Sequence, residues 1–308
     1  MDRPDKSVRD SSGCYVVIPA FNEEKRIGAL LDSLYKTRWP PEISQIKWII
    51  VTGASTDHTL DVAREWLARH RDVTADVLVT ASRNGKAGDL DVVHSQLLDQ
   101  NENVSGIAVV IDGDVTVFPE SIWNLLSPLL TEPSLSIVWG FDHIDRVHFG
   151  NWASSFQMLL ANAIAGEERA NRPRAYGRFF AYRVEDLRDF HWDASHITDD
   201  LQLAHYAEKS LLAVSSVTSA RVEVTPAASY YDFYLQTYRS IVARRGIVGG
   251  SSERESRRKT LTVLVHQFAR HPVLGAAFIV AHVISMWRHK LSPSAFSSHW
   301  ESPTSTKF

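Results

Sequence analysis

"GIAVVIDGD", residues 106–114, is an apolar run of the kind that builds a buried strand, and it ends on two aspartates either side of a glycine. Unpaired buried charge is costly, so Asp112 and Asp114 at the mouth of a strand must be exposed, paired or supplied with a cation. Ligands of open α/β sheets bind at strand ends, and a pair of hard oxygen donors suits Mg or Mn beside phosphate. The plainer reading is a solvated turn, because Asp and Gly are ordinary turn residues. The flanking sequence has to decide between the two.

Toward the N-terminus, short apolar runs alternate with helical patterns. "CYVVIP" (14–19) precedes 24–37, "IKWIIV" (46–51) precedes 57–70, "VTADVLVTA" (73–81) precedes 87–99, and the opening run precedes 119–130. This alternation predicts βαβ units, hence an α/β fold with a mostly parallel central sheet flanked by helices. Beyond it come a strand over 134–140, a long helix over about 151–168, a strand at "GRFFAYR" (177–183) and a helix from about Ile197. Residues 229–247 and 260–287 read as helices, separated by the polar stretch "GGSSERESRRK". The expected organisation is a disordered lead-in over 1–13, an α/β body over 14–248, a linker or mobile loop over 249–259, a helical appendage over 260–290 and a tail over 291–308.

Composition narrows the function classes. With 308 residues, 44% hydrophobic and 22% charged, the chain can bury a large core. A formal net charge of -3 supplies no global basic field, so nucleic acid is not an expected partner. The single cysteine, Cys14, excludes an intramolecular disulfide and fits a reducing compartment. The polar N-terminus lacks the apolar stretch of a signal peptide, which gives a cytoplasmic expectation.

The other strand ends share the chemistry of the first. Pro19, Asn22, Glu23 and Glu24 follow the first strand. Ser55, Thr56 and Asp57 follow the second, and "SRNGKAGDLD" (82–91) follows the third with Lys86 in a glycine-bracketed loop. Together with Asp112 and Asp114 these loops suit a nucleoside diphosphate: polar loops for base and ribose, Lys86 for a phosphate, carboxylates for a divalent ion.

In their order and spacing, "VVIPAFNEE", "GASTDHT", "NGKAGDLD", "IDGD" and "TDDLQL" (198–203) resemble the motif series of family 2 glycosyltransferases, inverting enzymes of GT-A fold that include cellulose, chitin and hyaluronan synthases. The resemblance runs from about residue 14 to 245. It implies a nucleotide-sugar donor, a UDP-sugar first, together with Mn or Mg and a hydroxyl acceptor. Asp114 becomes the direct metal ligand and Asp200 the general base, with Asp199 beside it on the acceptor side. Donor contacts are implied for Pro19, Phe21, Glu23, Thr52, Lys86, Asp112 and Gly113, and for Gln236 and Arg239 in "LQTYRSIVARRG" (235–246).

Three departures stand out. Ser240 replaces the tryptophan of the family's QxxRW segment, Thr52 and Gly53 replace the acidic pair that commonly contacts the base, and Asp91 stands where an asparagine is usual. Thr52, Gly53 and Ser240 motivate the alternative of a catalytically impaired sugar-nucleotide-binding or scaffold subunit.

Trp192, with Trp152, His191 and Asp193, is a candidate for the acceptor side, since aromatic faces pack on sugar rings. His191 and His196 are candidates for a third metal ligand. A dehydrogenase would want GxGxxG after its first strand, and "IPAFNEEKRIG" does not offer it. Finally, Val273 to Trp287 is almost continuously apolar, too short to span a bilayer comfortably, with Arg270 and His271 before it and Arg288, His289 and Lys290 after it. The reading is peripheral contact with the inner face of a membrane, which would bring a lipid-linked acceptor within reach; burial against the body is the competing reading.

Overall fold

A computed structural model describes residues 13–80, 85–99, 106–143, 152–167, 177–194, 198–225, 229–230, 233 and 264–291. The chain divides into two compact units, one taking in Met1–Asp142 and Arg172–Glu223, the other His143–Asn171 and Val224–Phe308.

The first unit holds the sheet. Strands β1 (Gly13–Pro19), β2 (Gln45–Gly53), β3 (Ala75–Thr80) and β4 (Ile107–Ile111) pair in parallel in the order β3-β2-β1-β4. Their connections are helices α1 (Ile27–Tyr35), α2 (Thr59–Arg69) and α3 (Gly85–Asp99), as the alternating pattern predicts. After β4 the chain adds β5 (Val115–Val117), α4 (Ser121–Thr131), β6 (Leu135–His143), β7 (Phe179–Arg183), α5 (Asp199–Lys209) and β8 (Ala213–Val224). Strand β7 lies antiparallel between β4 and β6, and the full order is β3-β2-β1-β4-β7-β6-β8-β5. The result is a mixed, mostly parallel eight-stranded sheet. Strands β5 and β8 have no counterpart in the sequence reading.

Both faces of the sheet are covered, which is why its central strands read as unbroken apolar runs. On one face Val17, Val51, Val110, Trp139 and Phe180 pack under Leu90, Val93 and Leu97 of α3 and Leu203 of α5. On the other, Trp48 of β2 stacks on Trp66 of α2 with ring centroids 5.5 Å apart. Cys14 is buried in β1, and burial raises its thiol pKa, as expected of an inert structural cysteine.

In the second unit, α6 (Trp152–Glu167) and α7 (Pro272–Leu291) pack together, with Phe278 against Phe156 and Phe233. Among the described residues no helix is long and apolar enough to cross a membrane. The linker expected over 249–259 lies outside the described residues.

Candidate active site

The loops after β1 and β2 are stitched together by side chains. Thr56 N–H donates to Asn22 Oδ1 (2.8 Å), Asn22 N–H to Ser55 Oγ (3.1 Å), Glu23 N–H to Thr59 Oγ1 (2.6 Å) and Glu24 N–H to Asp57 Oδ2 (3.2 Å). Asn22, Ser55 and Asp57 thus spend polar atoms on backbone groups that helix ends and turns leave unpaired. Phe21, Glu23 and Thr52, expected at the donor, are buried here, and the Thr52 hydroxyl is 2.7 Å from that of Ser55. At the end of β4, Gly113 donates its N–H to Pro19 O (3.2 Å), and a Cβ at 113 would sit 3.1 Å from Ala20 Cβ. Glycine is what lets the two strand ends approach.

Lys86, in the first turn of α3, is the hub. Its Nζ lies 2.7 Å from Asp112 Oδ1 and 2.8 Å from Asp199 Oδ2, and it donates to Gly177 O. It therefore joins the end of β4, the start of α5 and the segment entering β7. Burial opposes the Lys86 charge, but Asp112 and Asp199 outweigh it and hold the pKa above the ordinary lysine value. Burial pushes the Asp112 carboxyl upward; Lys86 draws it back, while Asp114 and Asp199 push it up again. Asp112 Oδ1 and Asp199 Oδ2 are buried, and among the described residues the Lys86 ammonium is the group that meets both.

Asp199 and Asp200 open α5 after an extended Thr198, where a helix N-terminus favours negative charge. Burial raises Asp200 to about 6, with Asp199 adding to the rise and Lys86 opposing it. A carboxyl tuned toward neutral pH suits proton abstraction. Asp114 is half-buried, and its backbone carbonyl accepts from Arg26 at 3.3 Å. The structure thus brings Lys86, Asp112, Asp114, Asp199 and Asp200 to one end of the sheet. Gln236, Arg239, Ser240 and His196 lie outside the described residues.

Trp192 sits elsewhere than on an open face. Its ring is 3% exposed among His94, Tyr182 and Phe190, and its Nε1–H donates to Asp199 O at 3.3 Å. Asp91 accepts the Trp192 N–H (2.9 Å) and lies 3.2 Å from His191 Nδ1. The Asp91 side chain therefore ties α3 to the segment that holds the start of α5. His191 is exposed on that pair.

Two acidic or basic groups escaped the sequence reading. Asp89 of α3 is 3% exposed and accepts the Thr80 hydroxyl at 2.9 Å. A Cβ at Gly53 would lie 3.1 Å from Asp89 Oδ1, so a carboxylate arrives from α3 beside the position where the acidic pair of β2 is missing. Burial raises its pKa to about 6 against hydrogen bonds from Thr80 and Gly53. Arg178, just before β7, donates to Asp142 Oδ2 at 2.7 Å, and its carbonyl accepts the Asp112 N–H at 3.0 Å. Lone charged residues beside strands carry no signature in the sequence; only the folded sheet reveals these partners.

Comparison with known proteins fits this geometry. A 61-residue stretch, 20% of this chain, is 43% identical to a 4,4'-diaponeurosporenoate glycosyltransferase of Staphylococcus aureus (strain USA300); it spans only 15% of that relative's length. Among solved structures, the chain is similar to a mannosyltransferase from Pyrobaculum calidifontis in complex with GDP-Man and Mn2+. The likeness has a TM-score of 0.58 at 18% identity and covers 95% of this chain and 83% of the other, which bears out the expected GT-A fold. Because the match to the glycosyltransferase-like family 2 runs from residue 12 to residue 270 and takes in every strand of the sheet, the chain belongs to that family.

Proposed function

We propose that the protein moves a sugar from a nucleotide-diphosphate donor to an acceptor hydroxyl by single displacement with inversion, with Asp200 as general base. The observation that carries this is the Lys86 hub, which fixes Asp112 of the donor side and Asp199 of the acceptor side in one constellation. In such a reaction the hydroxyl must lose a proton and the leaving diphosphate must have its growing charge neutralised. Asp200, raised to about 6 by burial, is suited to the first task. Lys86 is suited to the second, and Arg239 is assigned there on the resemblance alone.

The residues present fit a divalent ion. Asp112, Asp114, Asp199 and Asp200 gather at one end of the sheet, and the Asp112 and Asp199 oxygens that face inward share a single ammonium, Lys86. Among the described residues no three His, Cys, Asp or Glu side chains form a ready cage, so Mg or Mn here would depend on one or two carboxylates plus donor phosphates. Asp114, with Asp112, would hold the ion, and it would supply charge neutralisation at the diphosphate. The similar mannosyltransferase was solved with GDP-Man and Mn2+, so GDP-sugars join UDP-sugars as donors to test.

A second part of the proposal concerns location. Val273, Val280, Ile284 and Trp287 of α7 are exposed, and they recur on one side of the helix. That stripe is the basis for proposing peripheral contact with a lipid surface; a lipid-linked acceptor is the substrate such contact would suit.

The deciding experiment uses Asp200→Asn. Donor affinity with Mn, by calorimetry, should stay within about twofold of the parent, while transfer falls by roughly 100 to 10,000-fold. Full transfer in that variant would remove Asp200 from the mechanism.

A further inference from the structure

Arg178 is a charged group at this end of the sheet that the family motifs do not assign. Its position is closely defined. Its carbonyl accepts the Asp112 N–H at 3.0 Å, and the preceding residue, Gly177, accepts from Lys86 and would place a Cβ 3.1 Å from Asp200 Cβ. Arg178 therefore stands between the carboxylates of β4 and the first turn of α5.

A guanidinium carries five N–H donors in a planar fork. Among the described residues Arg178 uses one hydrogen bond, Nη1 to Asp142 Oδ2 at 2.7 Å, and its side chain remains 30% exposed. The pairing is incomplete on the other side too: among the described residues Asp142 Oδ1 is buried without a hydrogen bond. A purely structural pair would be expected to close as a two-bond fork, because a buried polar atom left unpaired is costly. Among the described residues one edge of the fork is held by Asp142 and the other donors have no protein acceptor. Asp112 and Asp114 lie close enough to favour its charge, and a divalent ion at those carboxylates would repel it unless an anion came between.

We infer that Arg178, braced by Asp142, is an anion-binding subsite beside the reaction centre, taking a phosphate or carboxylate oxygen of a substrate. This rests on the transferase reading of the pocket and adds a substrate class to it. The anion has two sources. It is either the diphosphate of the donor or an acidic group on the acceptor.

Calorimetry on the full chain with Mg separates them, using Arg178→Gln, which can still donate to Asp142, and Arg178→Lys as the conservative variant. UDP and GDP are titrated against UMP and GMP, and inorganic phosphate is then titrated into chain saturated with the diphosphate that binds. If the donor is the source, Arg178→Gln weakens diphosphate binding at least about tenfold, leaves monophosphate binding unchanged, and Lys restores part of the loss. If the acceptor is the source, nucleotide affinity is unchanged, and Arg178→Gln weakens phosphate binding to the saturated chain at least about tenfold. Nucleotide and phosphate affinities both within about twofold of the parent in Arg178→Gln would overturn the proposal. Failure of the parent chain to bind either nucleotide would sink the transferase reading instead. Phosphate titrated into the nucleotide-free chain would then still decide the subsite through the same comparison of parent and Arg178→Gln.

Discussion

Gly177 faces Asp200 so closely that a Cβ at 177 would lie 3.1 Å from Asp200 Cβ and 3.3 Å from its Cγ. The first residue of "GRFFAYR" thus sets where the proposed base stands. A methyl group there forces Asp200 to shift by a few tenths of an ångström, and misplacing a catalytic group costs rate steeply. Gly177→Ala is expected to lower kcat by about 10 to 100-fold with donor affinity within about twofold. Steady-state kinetics beside calorimetry would check it, and an unchanged kcat would show that Asp200 is not the group in flight.

The raised pKa of Asp200 gives a pH profile. A general base must be deprotonated to act, so kcat is expected to fall as pH drops through about 6. Burial, the leading cause of the rise, is aided by Asp199 and opposed by Lys86. Lys86→Met should therefore move the acidic limb to higher pH as well as weaken the donor site. A limb that stays in place in that variant would separate the limb from Asp200.

Asp89 offers a stability test away from the chemistry. Its folded pKa, about 6, is above the ordinary carboxyl value of 3.8, so the folded state binds the proton more tightly than the unfolded state. The stability this brings is full below the unfolded value and is lost as pH rises through about 6. Asp89→Asn, which keeps an acceptor for Thr80 and Gly53, should remove the loss and gain on the order of 1–2 kcal/mol at pH 7.5 relative to pH 4.5. Urea midpoints of parent and variant at the two pH values measure it. Parallel midpoints would place the raised pKa elsewhere.

Ala54 holds a left-handed backbone with φ of 51° in the loop after β2. Glycine adopts that region without the Cβ clash, so Ala54→Gly is expected to stabilise the chain by about 1 kcal/mol. A urea midpoint unchanged or lowered would show that the loop relaxes around alanine.

What the sequence disclosed and what it withheld follow one physical division. Runs such as 14–19, 46–51 and 107–111 are apolar because both sheet faces are covered, so their strands could be read directly. Asp112, Asp114 and Lys86 could be read because short motifs place them at strand ends. Strand β8 was missed although "AVSSVTSARVEV" is rich in β-branched residues: its mixed burial breaks the alternation that marks a half-buried strand. Arg178 with Asp142, Asp89 with Gly53, and Asp91 with Trp192 are pairs 36 to 101 residues apart. Nothing local announces such pairs; the sheet order brings them together.

The exposed face of α7 yields the last prediction. One side of this helix is held by Phe278 against Phe156 and Phe233, while Val273, Val280, Ile284 and Trp287 are between 53% and 68% exposed on another. Exposed apolar residues at helical spacing form a stripe suited to a lipid surface or a partner. The sequence puts Arg270 and His271 at one end and Arg288, His289 and Lys290 at the other, the arrangement that suits anionic head groups flanking a shallowly inserted helix. Flotation of the full chain with phosphatidylcholine vesicles, with and without phosphatidylglycerol, should show binding that depends on the anionic lipid. Val280→Asp with Ile284→Asp should lower that binding at least about tenfold while circular dichroism stays unchanged, because each charge must enter the apolar boundary. Binding that is absent from the parent chain, or indifferent to the two aspartates, would refute lipid contact. Sedimentation velocity would then show whether a second copy of the chain covers the stripe instead.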